Sequence, residues 1–186
     1  MRVLAISGSL RRDSYNAKLL HAAAELFPAD VEVELFDGLK EVPPYDEDDD
    51  TVAARAAVVR LREAIAAADA VLFATPEYNS SVPGQLKNAI DWASRPRATC
   101  VLQNKPVAVV GASTGAFGAV WAQAELRRVL AATGARVVEG EVAVGHAPER
   151  FDSEGRLVDE NLREQLAEVV EALVAAAVAR EQLIAA

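Results

Sequence analysis

The chain has 186 residues, of which 52% are hydrophobic and only 5% aromatic, a composition typical of a soluble α/β protein with one sizeable core. Its formal net charge of −9 disfavours binding to nucleic acid or to an anionic membrane, because both partners are negatively charged. The single cysteine, Cys100, excludes an internal disulfide. The N-terminus shows no leader or membrane-spanning run, so we expect one cytoplasmic domain over residues 1–186.

Five strand-like runs alternate with helical patterns along the chain, as in successive βαβ units. The predicted strands cover residues 3–7, 31–36, 70–74, 107–111 and 136–138. The third and fourth runs are apolar without alternation, as expected for central parallel strands that helices cover on both faces. The pattern predicts a doubly wound α/β fold around a five-stranded parallel sheet.

Helical patterns separate these strands. The first helix is predicted to begin near Tyr15 or Asn16, and the third near Gly84. The other three helices are predicted over longer ranges, which are residues 51–68, 116–132 and 161–184.

The third and fourth helices carry apolar residues that their own sheet is not expected to cover. Trp92 lies off the main apolar stripe of the third helix, and we interpret it as an interface residue because aromatic side chains are enriched in association patches. In the fourth helix, Phe117 and Trp121 share one face, whereas Leu126 and Leu130 lie on other sides. Both features predict a homodimer or homotetramer built through these two helices.

Two long connections interrupt the pattern. Residues 37–50 are acidic and contain a stiffening Pro pair. This connection is either a rim that contacts a partner or a solvated loop in which Asp50 caps the second helix. Residues 145–159 contain a turn signal at residues 152–155, which predicts a hairpin-like excursion before the last helix.

The loop after the first predicted strand has the chemistry of a phosphate site. The first backbone N–H groups of a helix lack partners and lie at the positive end of its dipole. Ser9 and Ser14 add hydroxyl donors, and Arg11 adds a planar cation. With Gly8 as its only glycine, the loop lacks both the dinucleotide fingerprint and the Walker motif. It suits a terminal monophosphate, as in FMN, although an ordinary turn with a serine N-cap would look similar.

Two further loops follow the third and fourth strands. In an open parallel sheet, ligands bind outside the carboxyl ends of the strands. Residues 75–84 lie between two prolines and should form a rigid loop that presents backbone polar groups and the Tyr78 ring to a flavin. Residues 111–116 are small and allow close approach of the backbone to a ligand.

These motifs together resemble the NAD(P)H-dependent FMN reductase family, whose relatives include quinone, azo and chromate reductases. The matching segments are Gly8-Ser9-Leu10-Arg11-x-x-Ser14-x-Asn16, Pro76-Glu77-Tyr78-Asn79 and Pro83-Gly84-x-Leu86-Lys87-Asn88-Ala89-Ile90-Asp91-Trp92. Pro43-Pro44-Tyr45-Asp46 and Ser113-Thr114-Gly115 occur in the expected order. The resemblance extends over nearly the whole chain, and its motifs are specific only in combination.

The resemblance implies a flavodoxin-like fold with strand order 2-1-3-4-5, non-covalent FMN and flavin sites near a subunit interface. It assigns residues 9, 11, 14 and 16 to the FMN phosphate, residues 76–79 to the flavin ring and residues 113–115 to a loop beside the cofactor. The predicted cofactor-binding residues are therefore Ser9, Arg11, Ser14, Tyr15, Asn16, Pro76, Glu77, Tyr78, Asn79, Ser113, Thr114 and Gly115.

The predicted reaction passes hydride from NADPH or NADH to FMN and on to free flavin, a quinone or a similar small electrophile. Because the flavin itself carries the hydride, no catalytic side chain is predicted. His21 and His146 lack the neighbours of a metal site, so no metal is expected. Two alternatives stay open, which are a flavodoxin-like electron carrier and a non-catalytic flavin-dependent regulator.

Overall fold

The computed structural model describes residues 1–51 and 55–185. Its parallel sheet has the order β2-β1-β3-β4-β5, with a short β6 also paired to β4. The strands are β1 (Arg2–Ser7), β2 (Glu32–Phe36), β3 (Ala70–Thr75), β4 (Pro106–Ala112), β5 (Arg136–Val137) and β6 (Ala143–Val144). The predicted flavodoxin-like order is confirmed, and β6 is an additional strand that the sequence pattern does not predict.

Helices cover both faces of the sheet. They are α1 (Tyr15–Ala24), α2 (Ala56–Ala67), α3 (Gly84–Ala93), α4 (Val120–Ala132), α5 (Ala147–Arg150) and α6 (Glu160–Ala185). The apolar faces of α1 and α6 form a core on one side, and α2, α3 and α4 form a second core on the other. Among the described residues, no helix is both long and apolar enough to cross a membrane.

The edge of the sheet beside β4 is interrupted because β5 pairs with the start of β4 and β6 pairs with its end. Between them the chain turns at Gly140, where φ is +126°. The guanidinium of Arg127 lies in this gap and donates to the carbonyl oxygens of Val109 at 2.9 Å and Gly140 at 2.6 Å. A side chain therefore replaces the missing strand partner, which sequence patterning could not indicate.

Two predicted helix starts are wrong. The second helix was predicted from Thr51, but Thr51 lies in a bend and α2 begins at Ala56; residues 52–54 of that prediction lie outside the described residues. Its N-cap position is occupied by Arg55, so Asp50 does not cap it. The fourth helix begins at Val120 instead of residue 116, because the backbone at Gly118 and Ala119 is left-handed, with φ of +57° and +63°.

The acidic connection folds back over α3, and we call its residues 39–50 the strap. Asn88 of α3 bonds it twice, since its Oδ1 accepts from Tyr45 N–H at 2.7 Å and its Nδ2 donates to Pro43 O at 2.8 Å. Asp50 forms an ion pair with Arg62 of α2 at 2.7 Å. The strap is thus a bonded structural element and not merely a solvated loop.

Trp92 lies beneath the strap, which corrects its interpretation as an interface residue. It is 0% exposed. Its Nε1 donates to Pro43 O at 2.8 Å, and its ring meets the Tyr45 ring edge-on with centroids 4.8 Å apart. The face of α3 that the sheet leaves uncovered is therefore covered by the chain's own acidic connection.

The apolar faces of α4 are divided differently. Leu126 and Leu130 are fully buried in the core, whereas Phe117, just before α4, and Trp121 are 63% and 50% exposed. Their rings pack edge-on with centroids 5.0 Å apart. An exposed aromatic pair therefore lies at the start of α4. The prediction that Phe117 and Trp121 lie on a different side from Leu126 and Leu130 agrees with this arrangement.

The second long connection contains the predicted hairpin. Phe151 and Leu157 form an antiparallel bridge, and Asp152 accepts backbone hydrogen bonds within the turn at 2.9 Å from Glu154 and from Arg156. The segment before it forms the short helix α5, which the sequence did not indicate.

Candidate flavin-binding site

The three candidate loops converge at the carboxyl edge of the sheet, after β1, β3 and β4. They line an open pocket of about 120 Å³. Ten of the twelve predicted residues line it, namely Ser9, Arg11, Ser14, Tyr15, Asn16, Pro76, Glu77, Tyr78, Ser113 and Thr114. Asn79 and Gly115 lie outside the lining, and Ala112 is an addition.

Gly8 lets the first loop leave β1 close to α3. Its N–H donates to Ala74 O at 2.8 Å, and a Cβ at this position would lie 2.7 Å from Leu86 Cδ2. Beyond it, the backbone N–H groups of residues 10–13 and of Tyr15 donate no hydrogen bond to any described residue. Unpartnered donors ahead of a helix N-terminus are suited to holding an anion.

Ser14 is the N-cap of α1, as expected if the loop were an ordinary turn with a serine N-cap. Its Oγ accepts from Asn16 N–H at 3.2 Å and Ala17 N–H at 3.3 Å, and the residue is 3% exposed. Because the oxygen is used as an acceptor, the hydroxyl proton remains available as a donor to the pocket. Capping and anion binding are therefore compatible at this residue.

Arg11 is exposed at the mouth of the pocket. Its guanidinium lies 3.5 Å from the carbonyl oxygen of Asp13, and no described carboxylate forms an ion pair with it. A cation without a protein counter-charge can neutralise a phosphate that binds beside it.

Asn16 joins the first and third loops. Its Nδ2 donates to Ala112 O at 2.9 Å, and its Oδ1 accepts from Ala112 N–H at 3.0 Å. The residue is 3% exposed and buried against the end of β4. Most of its hydrogen-bonding capacity is used to hold the two sides of the pocket together.

The second loop contains a tight turn over residues 78–81. Tyr78 and Ser81 exchange backbone hydrogen bonds at 3.1 and 3.2 Å. Asn79 and Ser80 have φ of +52° and +60°, as in the type I′ turns of β-hairpins. Asn79 occupies the tip of this turn, outside the pocket lining, while the Tyr78 ring at the pocket is half exposed.

Glu77 has a structural role that the motif did not indicate. Its Oε2 accepts from the N–H groups of Trp121 and Ala122, both at 3.1 Å. These are donors of the first turn of α4, whose own N-cap, Ala119, has no side chain able to accept them. The Glu77 carboxylate therefore caps a helix 44 residues further along the chain.

Glu125 of α4 bonds the other end of the same turn, a contact that the sequence does not predict. Its Oε2 accepts from Ser81 Oγ at 2.6 Å and from Val82 N–H at 3.3 Å. The pKa of this carboxyl is lowered below its ordinary value, mainly by the hydrogen bond from Ser81 and to a smaller extent by the one from Val82 N–H. A single glutamate within a helical pattern gives no sequence signal for this contact.

The third loop is held by β6 and by the segment that follows it. Ser113 N–H donates to Val144 O at 3.0 Å, and Gly115 O accepts from His146 N–H at 2.9 Å. Gly115 also donates its N–H to Ser113 Oγ at 3.1 Å. The loop thereby presents Ser113 and Thr114 to the pocket while Gly115 stays outside it.

Within residues 1–51 and 55–185, no group of His, Cys, Asp and Glu is arranged to hold a metal ion.

Comparison with known proteins agrees with this architecture. The profile of the family described as NADPH-dependent FMN reductase matches residues 1–149. An NAD(P)H-dependent FMN reductase of Pseudomonas aeruginosa is 46% identical over 174 residues, which are 93% of each chain. A 2-hydroxy-1,4-benzoquinone reductase of a Burkholderia species is 41% identical and is covered to 90%, against 89% of this chain. The solved structure of FerB, a flavoenzyme NAD(P)H:(acceptor) oxidoreductase from Paracoccus denitrificans, has a TM-score of 0.84 and 36% identity, covering 96% of this chain and 98% of that one.

Proposed function

Because the chain belongs to the NADPH-dependent FMN reductase family and is an enzyme of that family, we propose that it binds FMN in the pocket between its three loops. FMN held by these loops would supply hydride chemistry between NADPH or NADH and a small electrophilic acceptor. A quinone or free flavin is the proposed acceptor class. The quinone and flavin reductases among its relatives support this choice.

The first loop is the proposed phosphate site. The backbone N–H groups of residues 10–13 and Tyr15 donate to no described residue. Arg11, Ser14 and Tyr15 line the pocket just before α1 and would supply donors to an anion there. A terminal monophosphate uses such a set of donors fully, while a bridging pyrophosphate needs a closer approach of glycine backbone than this loop offers. This group of unpartnered donors is the observation that carries the proposal.

The second and third loops are the proposed flavin-ring site. Pro76, Glu77 and Tyr78 line the pocket from the second loop, and Ser113 and Thr114 line it from the third. Their backbone polar groups are placed to orient the ring, and the Tyr78 side chain offers an aromatic surface beside it. The protein's contribution is to place the nicotinamide and the ring at reacting distance, so no acid or base is required.

Titration of apo-protein with FMN and with FAD tests the cofactor proposal. We expect clear preference for FMN, because the first loop lacks a pyrophosphate fingerprint. Preference for FAD would contradict the assignment of the first loop to a monophosphate.

Steady-state oxidation of NADPH and NADH with a quinone acceptor tests the reaction. We expect turnover that depends on bound FMN. An FMN-loaded protein that exchanges electrons only with protein partners would be a flavodoxin-like carrier, and an FMN-loaded protein without any turnover would be a regulator.

We further propose a homodimer or homotetramer in which α4 contributes to the interface. The exposed pair Phe117 and Trp121 lies next to Glu77 and Tyr78, since Glu77 bonds the Trp121 backbone directly. A two-fold contact through this pair would cover it and would bring a second subunit close to the flavin pocket.

A further inference from the structure

Two glutamates join the second loop to α4 from opposite sides. Glu77 in the loop bonds the first turn of α4 through the N–H groups of Trp121 and Ala122, both at 3.1 Å. Glu125 in α4 bonds the loop in return, through Ser81 Oγ at 2.6 Å and Val82 N–H at 3.3 Å. The turn over residues 78–81 lies between these two attachments, and we call the pair the loop clamp.

The turn has few other restraints. Its two backbone hydrogen bonds are internal, between Tyr78 and Ser81, and they set its shape without fixing its direction. Asn79 and Ser80 are exposed, and the Tyr78 ring is half exposed. The orientation of the Tyr78 ring toward the pocket therefore depends on the attachments at the two ends of the turn.

We propose that Glu125 is a positioning residue for the flavin-ring site, acting through Ser81 and Val82 on the orientation of Tyr78. Glu125 does not line the pocket, so its effect on cofactor binding has to pass through the loop. This inference rests on the proposed function, in which the second loop contacts the flavin ring.

The charge on Glu125 is part of the clamp. A carboxylate accepts from two donors at once and makes stronger hydrogen bonds than a neutral amide. Arg128 is also near, with its guanidinium 3.9 Å from Glu125 Oε1, but no described hydrogen bond joins it to Ser81 or Val82. Substitution of Arg128 therefore changes the electrostatics of Glu125 while leaving the loop contacts in place.

Four variants test the clamp, namely Glu125→Ala, Glu125→Gln, Ser81→Ala and the control Arg128→Ala. Hydrogen–deuterium exchange of the apo-proteins measures the protection of residues 77–82. We expect faster exchange there in Glu125→Ala and Ser81→Ala than in the wild type, partial recovery in Glu125→Gln, and wild-type exchange in Arg128→Ala. Unchanged exchange in folded Glu125→Ala would overturn the clamp itself, whether or not the protein binds FMN.

Titration with FMN tests the positioning role. We expect affinity about tenfold weaker in Glu125→Ala, the lower end of the loss for a hydrogen bond to a charged group. Glu125→Gln should recover part of it, and the visible spectrum of the bound flavin should shift in Glu125→Ala. The Ser81→Ala/Glu125→Ala double variant should be no weaker than Glu125→Ala alone, because both changes break the same attachment.

The two measurements separate the possible failures. Wild-type affinity and spectrum in Glu125→Ala, together with faster exchange, would show a clamp that does not position the flavin and would overturn the inference. A wild-type protein that binds no FMN would contradict the proposed function and, with it, the positioning role, while the exchange data would still decide whether the clamp exists.

Discussion

The strap and the first loop both follow strands of the same sheet and both carry family motifs, yet one is closed and the other open. In the strap, the polar groups are used within the protein, as Asn88 bonds Tyr45 and Pro43 and Trp92 bonds Pro43. In the first loop, the N–H groups of residues 10–13 have no described partner. A motif residue whose polar groups are satisfied internally supports the fold, whereas unsatisfied groups around a pocket are available to a ligand.

This difference predicts that substitutions in the strap change stability and that substitutions in the first loop change affinity for FMN. The largest expected effect is on stability, at Trp92. Trp92→Ala should lower the free energy of unfolding by about 3–5 kcal/mol, the usual loss for removing a large buried aromatic side chain. Denaturant titration of the apo-protein measures it.

FMN affinity of the folded fraction should stay at the wild-type value in Trp92→Ala, because Trp92 does not line the pocket. If Trp92→Ala lowered the free energy of unfolding by less than about 1 kcal/mol, the contacts between the strap and the Trp92 ring would contribute much less to stability than their burial indicates.

Arg11→Ala should produce the opposite pattern. We expect FMN binding to weaken by about 1.5–3 kcal/mol, the range for charge-assisted hydrogen bonds, with little change in the unfolding free energy of the apo-protein. The neighbouring Arg12 is exposed and lies outside the pocket lining, so Arg12→Ala is a matched control for net charge. Equal FMN affinity in the two variants would place the phosphate elsewhere.

Asn16 and Asn88 sharpen the comparison because they make the same pair of bonds in the two regions. Each amide accepts from one backbone N–H and donates to one backbone carbonyl. Asn16→Ala and Asn88→Ala should each destabilise the apo-protein by about 1–3 kcal/mol, because partner groups lose their hydrogen bonds. Only Asn16→Ala should also weaken FMN binding, since only Asn16 lines the pocket.

Calorimetric titration and denaturant titration on the same samples test this pair. Weakened FMN binding in Asn88→Ala would show that the strap influences the pocket, and the division between a closed and an open region would then fail.

The parallel sheet and the convergence of its loops could be predicted from sequence patterning, whereas the strand order and the assignment of the pocket residues came from the family resemblance, because parallel topology alone fits more than one strand order. Apolar runs identify the strands, and loops at the carboxyl ends of neighbouring parallel strands meet. Spacing did not indicate which motif residues point inward. Asn79 lies outside the lining because Asn79 and Ser80 form the tip of a tight turn. Gly115 lies outside it, where its carbonyl oxygen accepts from His146 N–H.

The missed contacts join residues that are far apart in sequence. Trp92 is covered by Pro43, 49 positions away, and Glu77 caps α4 across 44 positions. Periodicity describes which face of a helix is apolar, but not which segment of the chain covers that face. The burial of Trp92 and the capping role of Glu77 could therefore be seen only in the folded protein.

The two tryptophans give the prediction with the smallest expected effect on the folded subunit. Trp92 is buried under the strap, whereas Trp121 is 50% exposed beside Phe117. Trp121→Ser should lower the unfolding free energy of a subunit by about 0.5–1.5 kcal/mol, because it removes the edge-on contact with the Phe117 ring from a residue that is half exposed. Its larger effect should be on assembly, since an exposed aromatic pair next to the pocket is what a two-fold interface would cover. Light scattering over a concentration series, run beside NADPH oxidation, measures assembly and activity together. Trp121→Ser should dissociate at a higher protein concentration than the wild type, and its activity should fall together with its mass. A wild-type protein that is a fully active monomer would contradict both the interface and its link to the flavin site.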